Sequence, residues 1–194
     1  MSKLFDTLSR EAFRAGVNPR TDESRKWFRQ RSKALRGIDR KDLMQELPAG
    51  GSVVGSMIMF FYDAKGKKTL PYYDAFPLVV VVGPAPGGFY GLNLHYLPPI
   101  LRAKMLDALM DIATSKKSPN AKFDISYNTL QSFSKLRYYK PCFKHYLGGY
   151  LKSGISMVPA PEWEIATFLP VAQFKKVVNP LEVYRDSRKI LGSS

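Results

Sequence analysis

Few side chains in this sequence have the types and spacing that catalysis or metal binding would need. The chain contains two histidines, His95 and His145, and a single cysteine, Cys142. A structural zinc site needs four nitrogen or sulfur ligands at close spacing, and no such set is present. Cys142 and His145 are three residues apart on a predicted short helix, so they form a candidate nucleophile and base. We favour the alternative, a small buried thiol beside a surface histidine.

The carboxylates offer one further candidate. Asp74 follows two tyrosines, so it is either a carboxylate with a shifted pKa in an aromatic pocket or, as we favour, a turn residue that accepts backbone N–H groups before a strand. Asp107 and Asp111 are four residues apart on a predicted helix, where a solvated polar stripe explains them better than an acid–base pair. Glu162 and Glu164 are expected to face water from a strand. The sequence therefore predicts no enzyme, no metal or other cofactor, and no small-molecule substrate.

A second group of side chains is suited to binding. Residues 135–152 interleave lysine and arginine with aromatic rings. Cations can neutralise phosphates while rings stack on bases, but tyrosine and arginine also anchor protein interfaces. In a third interpretation the rings are core and the lysines are merely solvated. All three stay open, and the candidate interaction or nucleic-acid residues are Arg137, Tyr138, Tyr139, Lys140, Lys144 and Tyr146.

The N-terminal residues 1–47 form a predicted basic helical arm. Its second helix has a narrow apolar stripe surrounded by arginine and lysine, a pattern typical of a segment that docks on another surface. We expect this arm to pack poorly by itself, and to be disordered or protease-sensitive in the isolated protein but ordered in an assembly. The candidate interaction residues of the arm are Arg25, Trp27, Phe28, Arg29 and Arg36.

The positive charge is concentrated at the periphery of the chain. The formal net charge is +14, and residues 116–152 alone contain 8 basic against 1 acidic side chain. Such an excess favours polyanions or acidic surfaces as partners, through an attraction that salt weakens. The N-terminus lacks the apolar stretch of a signal peptide, and the longest apolar run, Phe76–Gly83, is too short to cross a bilayer. With a single cysteine, no internal disulfide is possible, so we expect a soluble protein from a reducing compartment, with no membrane partner.

The elements that position these residues indicate an α+β fold, because strands precede and follow a helical block. Short strands with Gly/Pro turns suit a small curved antiparallel sheet or barrel. The predicted core spans residues 48–174, with a helical insertion at about 98–150, and a basic amphipathic tail spans 175–194.

Individual segments give sharper predictions. The apolar run "FPLVVVVG" predicts a strand buried on both faces, and residues 53–62 predict another strand. Pro98-Pro99 opens a predicted helix that extends to about Ser115. "PCFKHYLGG" is expected to be a short helix and "EWEIATFLP" a short strand.

The central part of the chain, from about Phe60 to Phe174, resembles small proteins encoded by large contractile-tailed bacteriophages. The resemblance is strongest in "LPYYDAFPLV" and "GLNLHYLPPILRA" and extends to "EWEIATFLPVAQF". It implies a virion-associated or DNA-end-associated protein, and it brings no catalytic residues.

Our first hypothesis is therefore a structural assembly protein of the phage particle, located in the tail–baseplate or neck. It would be made in the host cytoplasm and then dock on other virion proteins, in a multi-copy assembly, through its basic arms. The alternative is a DNA-binding protein that contacts or protects phage DNA ends. A nuclease or hydrolase with Asp74 as its base is a third and weaker hypothesis.

Overall fold

The structure, a computed structural model, describes residues 3–113, 140–177 and 179–192. Its helices are α1 (Lys3–Arg14), α2 (Asp22–Ala34), α3 (Arg40–Glu46), α4 (Pro99–Ala113), α5 (Trp163–Phe168) and α6 (Pro180–Gly192). Its strands are β1 (Ala49–Gly50), β2 (Met57–Met59), β3 (Tyr73–Asp74), β4 (Leu78–Ala85), β5 (Gly88–Asn93), β6 (Phe143–Leu147), β7 (Ile155–Val158) and β8 (Phe174–Lys175).

Six of these strands form one open antiparallel sheet in the order β1-β7-β2-β4-β5-β6, while β3 and β8 pair separately as a short ribbon. The predicted α+β class is confirmed. The alternative of a closed barrel is wrong, because β1 and β6 lie at opposite edges of the sheet and do not pair with each other.

Strand β4 is the centre of the sheet and is buried on both faces, as predicted. Successive side chains of a strand point to opposite faces. Val80 and Val82 accordingly pack in the cluster that contains the helices, whereas Val79 and Val81 pack with Phe60 on the other face. We call this second face the tyrosine face, because Tyr62 and Tyr146 are part of its buried cluster.

The N-terminal helices pack against the rest of the protein, so α2 docks on this chain's own core. The expected disorder of the arm in the isolated protein stays a prediction. Phe5 of α1, Phe28 of α2 and Leu43 of α3 are buried in the same cluster as the helical face of the sheet. The Phe28 ring stacks on Phe168 of α5, with ring centroids 6.3 Å apart. The narrow stripe of α2 is sufficient because it fills a gap between α1 and α5, rather than forming a core by itself.

Two short elements differ from the prediction. Residues 143–147 form strand β6 instead of a helix, because all five of them pair with residues of β5. The approach is close: a Cβ on Gly88 would lie 1.8 Å from the Tyr146 carbonyl oxygen, so that position needs glycine. This pairing is a tertiary interaction, which the local sequence does not reveal.

The predicted strand at "EWEIATFLP" is the helix α5. All six of its residues are buried, so it shows neither the period of a helix nor that of a strand. Glu162 and Glu164 are buried too, which corrects the expectation that they face water. Glu164 accepts hydrogen bonds from the Ser24 hydroxyl at 2.5 Å and from the Arg20 N–H at 3.0 Å, which satisfies its burial.

The predicted helix after Pro98 and the tail helix are both present as α4 and α6. Asn179 caps α6, its side chain accepting the Leu181 N–H at 2.9 Å. Among the described residues, no helix combines the length and the apolar character needed to cross a membrane. The division into arm, core and tail stays a prediction.

Candidate nucleic-acid interface

Asp74 lies at the end of β3, 3 % exposed, and binds four donors. Its Oδ1 accepts the backbone N–H groups of Phe76 and Gln173, each at 3.1 Å. Its Oδ2 accepts the Asn93 side-chain amide at 3.1 Å and lies 2.7 Å from His95 Nδ1. The favoured interpretation of Asp74 as an acceptor of backbone N–H groups is confirmed, and the carboxylate also joins three separate segments of the chain.

The pKa values of Asp74 and His95 are both lowered, which favours an ionised carboxylate beside a neutral imidazole. Burial works to raise the pKa of Asp74, but the attraction of His95 and the hydrogen bonds to the carboxylate together lower it. Burial lowers the pKa of His95 against the attraction of Asp74. With these two shifts, the ionised Asp74 accepts a hydrogen bond from the Nδ1–H of the neutral His95 imidazole. Both side chains are fully enclosed, so this pair connects β3 to the turn after β5 and does not contact solvent.

Next to this network, a cleft of about 330 Å³ opens between the segment of residues 62–74 and strand β6. We call it the tyrosine cleft, because five of its lining side chains are tyrosines and two are lysines. These seven are Tyr62, Tyr72, Tyr73, Tyr96, Tyr146, Lys65 and Lys144.

Lys144 is half-buried in the wall of the tyrosine cleft. Its Nζ lies 4.1 Å from the centroid of the Tyr96 ring, a cation–π contact. Among the described residues, no carboxylate lies within ion-pair distance of Lys144. Burial lowers the pKa of Lys144. The side chain is therefore a cation that has lost part of its hydration and has gained no described counter-ion.

The rim of the tyrosine cleft is braced by polar contacts. The Tyr73 hydroxyl donates to Asp63 at 2.9 Å, and Lys67 contacts the other oxygen of that carboxylate at 2.7 Å. Lys176 Nζ donates to the carbonyls of Lys68 at 3.2 Å and Leu70 at 2.7 Å. These contacts hold the residues 63–74 in place, so the cleft is preformed.

A second basic concavity, of about 280 Å³, lies between α2 and α4 on the helical side of the protein. We call it the arginine groove. Arg25 is bound there by Asp107 of α4 and by Asp22, whereas Lys26, Arg29 and Lys104 are exposed and, within the described part of the chain, form no ion pair. The lining residues are Asp22, Arg25, Lys26, Arg29, Ile100, Ala103, Lys104 and Phe168.

The predicted interaction residues of the arm fall in different environments. Arg25 and Arg29 line the arginine groove, and Arg36 is exposed in the loop after α2. Phe28 is 6 % exposed and belongs to the core, which leaves no free ring for docking. Trp27 is half-buried and packs edge-on against Phe28, with ring centroids 5.0 Å apart.

The predicted interaction or nucleic-acid residues near β6 divide similarly. Lys144 and Tyr146 line the tyrosine cleft, while Lys140 is exposed in the turn before β6. Arg137, Tyr138 and Tyr139 lie outside the described residues. The binding roles assigned to both groups stay predictions.

Several residues of these surfaces were missed by sequence reasoning. Tyr96, Lys65 and Lys104 carry no predicted role in binding, because Tyr96 and Lys65 lie far along the chain from β6, and Lys104 lies far from α2. The alternation of Tyr90, Leu92, Leu94 and Tyr96 in the sequence is a signal that would place Tyr96 on one face of a strand. In the described ranges, no group of three or more His, Cys, Asp or Glu is arranged to hold a metal ion.

The fold and the two basic surfaces define an α+β protein of strongly positive charge whose exposed cations and aromatic rings suit an anionic polymer. Residues 4–185 match the family model described as phage T4 terminal DNA protecting protein. The chain therefore belongs to that family, and the expected relationship to DNA-end-associated phage proteins is confirmed. No curated protein and no solved structure matches the chain. The match supports the DNA-end alternative better than a tail–baseplate or neck role.

Proposed function

We propose that this protein binds the ends of phage DNA and protects them. The observation that carries the proposal is the family match, which spans nearly the whole chain, including the arginine groove and the tyrosine cleft. The protein would act by occupying the end, as a binding protein without a catalytic step. In this proposal the principal partner is a DNA end, whereas our first hypothesis made other virion proteins the principal partners.

The charge distribution supports a contact with the phosphate backbone. On α2, Arg29 lies three residues after Lys26 and four after Arg25, and all three line the arginine groove, where Lys26 and Arg29 are exposed. Lys104 extends this positive patch onto α4. Backbone contacts of this kind position a protein on duplex DNA and do not read its sequence. A protein that must act on whatever sequence lies at an end needs that property.

A contact with a virion protein is a second candidate function, and one feature favours it. The Phe13 ring is 85 % exposed beside an apolar groove of about 390 Å³ between α1 and α5. An exposed aromatic side chain next to an apolar groove is typical of a protein interface. This side of the protein is apolar, unlike the two basic surfaces. We propose that it holds the end-bound protein in the phage particle.

The proposal is tested by measuring the affinity of the full-length protein for a linear duplex and for a covalently closed circle of the same sequence. We expect tighter binding to the linear form, because only it has ends, and weaker binding of both forms as salt rises. Equal affinity for the two forms at every salt concentration would show a general DNA-binding protein instead.

A further inference from the structure

We infer that the tyrosine cleft receives the terminal nucleotide of a DNA strand, with its 5′-phosphate on Lys144 and its base against Tyr72 and Tyr73. This inference rests on the proposed function and adds to it the site that would distinguish an end from the rest of the duplex. The arginine groove offers only backbone contacts, which internal phosphates satisfy equally well.

Lys144 supplies the anion preference of the cleft. Its charge is partly removed from water, it faces the Tyr96 ring at 4.1 Å, and no described carboxylate neutralises it. An arriving anion would restore the lost electrostatic stabilisation of this ammonium group. A lysine ammonium is a common ligand for phosphate, acting as a point charge.

The charge of the ligand favours an end over an internal position. A phosphate monoester carries a charge of about −1.5 to −2 at neutral pH, whereas each linking phosphate of a strand carries a single negative charge. A 5′-terminal phosphate is therefore the stronger partner for Lys144. Lys65, exposed at the rim, adds a second positive charge at the entrance.

The tyrosines supply a surface for the base. Tyr72 and Tyr73 are half-buried in the cleft, and the hydroxyl of Tyr73 is fixed by Asp63 at 2.9 Å. Aromatic rings that stack on bases are tolerant of sequence, because every base has a π-face. The Tyr96 ring is less available, since Lys144 lies over it and the residue is 5 % exposed.

The dimensions of the cleft suit a single nucleotide. The volume of about 330 Å³ is at the lower end of the range of about 300–1,000 Å³ that small-ligand pockets occupy. A base pair within a duplex cannot enter such a cleft, but a nucleotide at a frayed terminus can. Only the end of a strand offers such a nucleotide without unpairing the interior of the duplex.

The experiment compares three duplexes of one sequence with full-length protein: one with 5′-phosphate ends, one with 5′-hydroxyl ends and one with hairpin-closed ends. We expect the order of affinity phosphate, hydroxyl, closed. Lys144→Met should weaken binding to the 5′-phosphate duplex by about tenfold or more, as the loss of a charge-assisted contact implies. Its affinity for the closed duplex should change less than about twofold, because backbone contacts remain. Lys33→Met, which removes one exposed charge from α2 outside the cleft and the groove, is the matched control.

The outcomes separate the two proposals. If the wild type prefers ends but does not distinguish phosphate from hydroxyl, or if Lys144→Met keeps that distinction, the cleft assignment is wrong and the proposed function stands. If the wild type binds all three duplexes equally, both fail. Titration calorimetry of the protein with deoxyadenosine 5′-monophosphate, and separately with deoxyadenosine, tests the cleft without a duplex. Binding of neither compound overturns the assignment even if the Lys144 variant fails to fold.

Discussion

Asp74 Oδ2 and His95 Nδ1 lie 2.7 Å apart inside the protein, and this contact joins the β3 ribbon to the end of the central sheet. The same carboxylate holds Asn93 of β5 and the backbone of Gln173 before β8. Because β3 forms one wall of the tyrosine cleft, the buried pair determines where that wall stands relative to the sheet.

Replacing this carboxylate should therefore destabilise the protein. Asp74→Asn removes the negative charge and turns one acceptor into a donor that faces the donors of Asn93 and His95. We expect a loss of about 1–3 kcal/mol or more in the free energy of unfolding, the cost of leaving a buried donor without its acceptor. Asp42→Asn, at an exposed aspartate of α3, is the control and should change stability by less than about 0.5 kcal/mol. Urea unfolding measures both, and equal stabilities would contradict the structural role.

The His95 imidazole should make stability depend on pH. Its folded-state pKa is lowered by burial, so below the ordinary value of about 6.5 the unfolded chain takes up a proton that the folded chain does not. Stability should consequently fall as the pH drops from about 7.5 towards 5.

A comparison with His95→Gln isolates this effect. The variant should lose part of the pH dependence in that window, while His145→Gln, at the exposed histidine, should keep it. Unfolding by urea at several pH values gives the slopes. If the wild type and His95→Gln have the same slope between pH 7.5 and 5, the assignment of the neutral form to His95 is wrong.

The packing of α2 predicts that the arm is part of the folded protein. Phe28→Ala should cost about 3–5 kcal/mol, because it leaves a cavity against Phe168. Phe13→Ala, at a ring that is 85 % exposed, should leave stability within about 0.5 kcal/mol. Chemical unfolding separates the two variants, and similar small effects would mean that α2 is not packed in solution.

The Cys142 thiol should react slowly while the protein is folded. Burial raises its pKa to about 12, and the thiolate is the form that reacts. At pH 8 a thiol reagent should modify the native protein far more slowly than the urea-unfolded protein. Rapid modification of the native protein would show that β6 and the turn before it open readily.

The arginine groove should account for much of the salt dependence of DNA binding. A triple variant, Lys26→Ala, Arg29→Ala and Lys104→Ala, removes its exposed cations. Each phosphate contact contributes about 0.9 to the slope of log affinity against log salt, so the slope should fall by about 2–3. The control replaces Lys33, Lys41 and Lys175 by alanine, an equal change in charge at exposed positions outside the groove. Identical slopes for the two triple variants would place the backbone contacts elsewhere.

Strong local patterns made much of the fold predictable. The apolar run of β4 required burial on both faces, and Pro98-Pro99 followed by apolar residues marked the start of α4. In contrast, β6 is a strand because β5 lies beside it, and α5 is a helix whose complete burial erases any periodicity. Local sequence does not contain either fact.

The candidate sites were predictable only in part, for the same reason. Composition made Lys144 and Tyr146 candidates, and the charge of the arm made Arg25 and Arg29 candidates; the binding roles of all four stay predictions. Their partners come from residues 62–74 folding across β6, and from α4 packing on α2. The arrangement of a site from distant segments is tertiary information, so sequence reasoning found its members but not their neighbours.

The protection of DNA ends from an exonuclease tests the central claim most directly. Linear duplex with 5′-phosphate ends is incubated with full-length protein and then with an exonuclease that digests only from ends, and intact DNA is followed over time. The account predicts that the wild type preserves the duplex at about one protein per end and that protection declines as salt rises. Digestion at the same rate with and without saturating protein would contradict it.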